Sequence, residues 1–110
     1  MASKTKKTRK FLIPGIYHPI EVRLVSRKWL KRYTKEATIL GQYEHFQGLI
    51  YLASDLTPEV MIHTLFHEVS HHILDTLEDI KDEEQRCDLL GSYLLKLHQK
   101  KDKIKKSLRG

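Results

Sequence analysis

A chain of 110 residues, 40% apolar and 31% charged, has the make-up of one ordinary globular domain. No apolar run approaches the roughly 18–20 residues that span a bilayer, and a single cysteine, Cys87, excludes an intramolecular disulfide. The net charge of +6 is unevenly spread: the first ten residues carry five Lys or Arg, residues 96–110 carry seven against one Asp, and residues 11–95 therefore stand at −5.

This distribution predicts a basic flexible N-terminus over 1–10, a folded domain over 11–98 and a basic C-terminal tail over 99–110. Solvated tails of this kind offer weak, charge-driven contact with nucleic acid. Residues 11–17 are apolar and follow a basic start, as in an export signal. The stretch is short, Pro14 and Gly15 interrupt it, and no small-residue cleavage site follows, so a cytoplasmic protein without membrane contact is expected. Cys87 reads as a small buried hydrophobe rather than a nucleophile.

Residues 20–25 alternate apolar and polar over the first five positions, which is strand spacing. Ser26 can cap a short helix carrying Trp29, Leu30 and Tyr33. Gly41 and Gly48 flank residues 42–47, and the β-prone run 49–53 follows, so an antiparallel meander is expected. Thr57-Pro58-Glu59 starts a helix with a capping hydroxyl, a proline at the first helical position and an acid at the positive end of the dipole. Ile62, Phe66, Val69, Ile73 and Leu77 then recur at helical spacing as its apolar stripe. Asp79 or Asp82 can cap a second helix from about residue 83 to 99, with Leu90, Leu94 and Leu97 buried. Gly91 among them suits close helix packing. The fold class is α+β.

His67-Glu68-Val69-Ser70-His71 is an H-E-x-x-H motif inside the strongest helix, on a side roughly opposite its apolar stripe. Residues four apart on a helix share a side, so His67 and His71 can reach one ion. Glu68 lies about 100° round the helix and can flank the metal as a general base without ligating it. A catalytic zinc needs a third protein ligand and one open position. Asp75, Glu78, Asp79, Asp82, Glu83, Glu84, Asp88 and His98 all lie downstream. Glu84 suits best, in the first turn of the second helix after a connection long enough to reverse direction, with Glu83 the neighbour to exclude. Asp88 shares its face, where a carboxylate can accept the free ring N–H of a ligating His.

H-E-x-x-H followed by Glu84-Gln85-Arg86-Cys87-Asp88, an E-x-x-x-D, resembles the gluzincin metallopeptidases. The short gap between His71 and Glu84, and the wording of residues 49–52 and 64–72, are similar to the small ImmA/IrrE-like metallopeptidases of bacteria, phages and mobile elements. The likeness covers roughly residues 20–97. Cys87-Asp88 departs mildly from the Ala-Asn or Ala-Asp common in that family's second motif. The resemblance implies a zincin-like fold: a small, mostly antiparallel sheet packed on an active-site helix and a second C-terminal helix. It also implies one Zn2+ ion and a peptide or protein substrate.

The remaining candidates read as structural. His63 and His72 are spare to a three-ligand site. His45, Tyr43, Tyr93 and His98 could each stabilise an oxyanion, and the sequence does not choose among them. The expected function is peptide-bond hydrolysis by zinc-bound water activated by Glu68. Its alternative is a non-catalytic zinc module docking nucleic acid or a protein partner through the basic tails.

Overall fold

The computed structural model describes residues 9–45 and 47–110. In chain order the elements are β1 (Arg9–Ile13), β2 (Ile20–Val25), α1 (Arg27–Thr34), β3 (Gly41–Glu44), β4 (Leu49–Ala53), α2 (Pro58–Leu77), α3 (Glu83–Gln99) and α4 (Lys101–Arg109). The strands form one sheet in the order β1-β2-β4-β3. β1 pairs antiparallel with β2, with Phe11 opposite Val22, and β3 pairs antiparallel with β4, with Tyr43 opposite Ile50. The central pair is parallel, with Val22 opposite Ile50. The fold is thus α+β, and its four-stranded sheet is mixed, with two of its three pairings antiparallel as expected and the central one parallel.

Both faces of the central strands are covered. Ile20, Val22, Leu24, Ile50 and Leu52 point into the main core beneath α2. Val25, Tyr51 and Ala53 form a smaller cluster with Leu30 of α1 on the opposite face. This explains why β4 is a nearly continuous apolar run: a strand buried on both sides has no solvent face on which to place polar residues.

Local chemistry sets the helix starts. The Ser26 hydroxyl accepts from the Trp29 N–H at 3.0 Å, and the Thr57 hydroxyl from Val60 at 3.4 Å. The Asp82 carboxylate accepts from Glu84 at 3.1 Å, settling which of the two aspartates caps α3. Each satisfies a backbone donor that the first helical turn leaves unpaired.

Several expectations need correction. The buried side of α2 is Met61, Thr64, Leu65, Glu68, Val69, His72 and Leu77. Ile62 and Ile73 only flank the core, and Phe66 is exposed. The inward face is therefore turned toward the motif, because three polar residues share it. In α3 the buried residues are Tyr93 and Leu97, whereas Leu94 is exposed. A side chain at Gly91 would meet nothing within 4 Å, so helix packing does not explain it. Cys87 is exposed, not buried.

Both ends also depart from the expected plan. The segment 99–110 is not simply a solvated tail, since Ile104 and Leu108 of α4 are buried in the main core. They lie one turn apart and form a two-residue stripe that the surrounding lysines obscure in the sequence. At the N-terminus, residues 1–8 of the expected flexible segment lie outside the described residues. Arg9 and Lys10 belong to β1. The Arg9 guanidinium donates to the Leu108 carbonyl at 3.0 Å and ties the first strand to the last helix.

Candidate metal site

α2 carries the motif and β3 lies beside it. Gly41 makes the close approach of the two elements feasible. A Cβ there would come within 2.9 Å of Thr64 Cγ2 and 3.2 Å of the Tyr51 carbonyl oxygen. Tyr43, two residues on, is buried against the same helix. β3 is an outer strand of the sheet, and the Tyr43 backbone on it reaches Glu68 of the motif.

The structure brings His67 and His71 together. Their ring centroids are 4.9 Å apart, set edge to face, and both side chains are exposed. Glu68, next to His67 in the same turn, is turned inward and only 7% exposed. Burial raises the pKa of its carboxyl group. The neighbouring His71 and His67, and a backbone hydrogen bond from Tyr43, oppose that rise without cancelling it. Glu68 is thus a partly desolvated carboxyl beside two solvent-facing imidazoles.

Glu84 lies in the first turn of α3, as expected, and is exposed, as is Asp88 one turn later. Neither is gathered with the imidazoles: among the described residues no three His, Cys, Asp or Glu side chains converge closely enough to hold an ion. Two side chains of the expected set, His67 and His71, are thus neighbours, with a chemistry suited to zinc, and the third stands apart. Residues 82–88 are exposed except Arg86, which is partly buried and donates to the Ile80 carbonyl.

On the inner side of α2 the polar residues form a network. Nε2 of His72 accepts from the Ile16 N–H at 3.1 Å, while Nδ1 lies 3.5 Å from the Tyr43 hydroxyl and 3.4 Å from that of Thr76. Burial lowers the pKa of His72, and the nearby Asp75 works against that shift. His72 is thus a structural residue that satisfies a buried backbone donor. The Tyr43 hydroxyl donates to Asp75 at 3.3 Å, and the other oxygen of Asp75 meets His45 Nδ1 at 3.1 Å.

These contacts separate the residues considered for an oxyanion. Tyr93 is spent on the Pro14 carbonyl at 2.8 Å, and burial raises the pKa of its hydroxyl. His98 is exposed on α3 and His63 is exposed one turn before His67 on α2. His45, just beyond β3, is held by Asp75, one turn past His71. The His45–Asp75 pairing was not legible in the sequence, where the two residues lie far apart and each has several equivalents. Among the described residues no helix is long and apolar enough to cross a membrane. Comparison of the chain with protein-family models, with curated proteins and with solved structures gives no match.

Proposed function

We propose that this chain is a zinc-dependent metallopeptidase with His67 and His71 as metal ligands and Glu84 as the third. The observation that carries this reading is the pair of exposed imidazoles, ring centroids 4.9 Å apart, with the inward-turned Glu68 beside them on the helix. Zinc bound there would polarise a scissile carbonyl and acidify water. Glu68 would take the proton from the attacking water and pass it to the leaving amine. Its partial burial suits both halves of that task, because a carboxylate raised above its ordinary range holds a proton more readily. β3 is an outer strand, and an extended peptide could lie along that side of the sheet, next to Glu68. Asp88 would act through a ligating histidine rather than on the metal.

The test is metal analysis of the purified protein together with variants. Close to one zinc per chain is expected, and His67→Ala or His71→Ala should abolish it. Glu84→Ala should weaken zinc binding strongly and Glu83→Ala should not, while Asp88→Ala should cost about 10- to 100-fold in affinity or activity. Glu68→Gln should keep the metal and lose roughly 10²–10⁴-fold in hydrolysis. Full zinc content in the His67→Ala/His71→Ala double variant would refute the ligand assignment. A Glu68→Gln protein with undiminished activity in cells would refute the catalytic one.

A further inference from the structure

A second surface lies on α1, on the face of the sheet opposite the motif. Trp29 and Tyr33 are one turn apart and stack with centroids 4.8 Å apart and planes 11° from parallel. Tyr51 of β4 meets both rings at an angle, at 5.0 and 5.2 Å, and fixes the pair from below. Tyr51 is buried, but Trp29 and Tyr33 remain 40% and 47% exposed. A stacked aromatic pair held rigid and left in solvent is a ready platform for another flat ring.

Cations border this platform. At 100° per residue, Lys31, Lys28 and Arg32 follow one another round the helix over an arc of about 100°, Trp29 and Tyr33 come next, and Lys35 stands at the C-terminal cap. All four are exposed. Arg27, on the other side, is occupied by Asp55 at 3.3 Å. Among the described residues none of the four bordering cations is ion-paired. α1 has no acid in its first turn and bears Lys31 and Arg32 in its last.

We infer that the α1 face binds single-stranded nucleic acid, with an unpaired base extending the Trp29–Tyr33 stack and phosphates along Lys28, Lys31, Arg32 and Lys35. Both parts of that ligand are needed to match both parts of the surface. A duplex could satisfy the cations but withholds its base faces, and a small aromatic molecule would leave the cations unmatched. The surface uses neither His67 nor Glu68, so it stands independently of the metallopeptidase reading.

Trp29 is the only tryptophan in the chain, so its fluorescence reports directly on the platform. The full chain is titrated with oligo(dT) and with oligo(U) of about 12 nucleotides, within the usual footprint of such surfaces, and with a duplex of equal length. Quenching of Trp29 by a single strand and not by the duplex is expected. The stronger of the two oligomers identifies RNA or DNA as the ligand, and either supports the inference. Four phosphate contacts predict a log–log salt slope of about −3, and Lys28→Ser/Arg32→Ser should reduce its size by about 1.4. Tyr33→Leu should weaken binding about 5- to 100-fold. The Lys28 and Arg32 changes leave the core untouched, so a failure of Tyr33→Leu to fold would not end the test. Single strands that bind without quenching Trp29, or with a salt slope unchanged in the double variant, would overturn the inference and assign binding to charge elsewhere on the chain.

Discussion

Replacing Leu108 by alanine tests whether the basic C-terminal segment belongs to the folded core. Leu108 and Ile104 are each 5% exposed and sit in the main cluster. Truncation of either to alanine removes three carbon atoms. At about 0.8 kcal/mol per buried methylene-sized group this loses about 2.4 kcal/mol of transfer free energy. A cavity term adds to it, but α4 is the last element and can settle into the space, so a value near the lower end of the ~2–5 kcal/mol range is expected. For a domain of this size that corresponds to a fall of about 10 °C in melting temperature. Urea and thermal unfolding followed by circular dichroism would measure it. Lys103→Ala, an exposed change in the same helix, should stay within about 0.5 kcal/mol of the parent. If Leu108→Ala and Lys103→Ala shift stability equally, α4 is a solvated tail and its assignment to the core is wrong.

Two further outcomes follow from the seam between α2 and β3. Gly41→Ala should destabilise by about 1–3 kcal/mol, because the new Cβ meets Thr64 Cγ2 at 2.9 Å, and adding Thr64→Ser should recover part of the loss in a double-mutant cycle. Burial lowers the pKa of His72 in the folded protein, so the unfolded chain takes up its proton first as the pH falls. The contribution is present above the unfolded imidazole range, near pH 6.5, and is lost as the pH drops through and below it. The melting temperature of the parent should therefore fall more between pH 7 and pH 5 than that of His72→Asn; an equal fall would refute this role.

What the sequence revealed follows from how local each determinant is. Ser26, Thr57 with Pro58, and Asp82 mark helix starts because a cap acts on backbone groups two or three residues away. H-E-x-x-H was legible for the same reason, its geometry being that of one helix turn. β1 was not recognised, since Arg9–Ile13 becomes a strand by pairing with Ile20–Val25 across a turn. Nor could the parallel pairing of β2 with β4 be read, as it joins segments separated by α1 and β3. The rotation of the α2 stripe was hidden because hydrophobicity places Glu68 and His72 outside. What draws them in is partners on other elements, Tyr43 for Glu68 and Ile16 for His72. Glu84 was placed correctly on its helix, but a helix register says nothing about the distance to another helix.

The uneven burial of α3 has a consequence for motion. Among its first ten residues, 83–92, no side chain is fully buried and only Leu89 and Leu90 pack partly against the core, whereas Tyr93 and Leu97 are buried in it. α2 beside them is pinned along its length by Met61, Leu65 and Val69. Amide hydrogens in the first half of α3 should therefore exchange with solvent far sooner than those of α2, by opening events that leave the sheet intact. The two histidines ride on the slow-exchanging half of the molecule and Glu84 on the fast one. Whatever ion draws them together would have to order α3 as it binds, so its affinity would include the cost of quieting that helix.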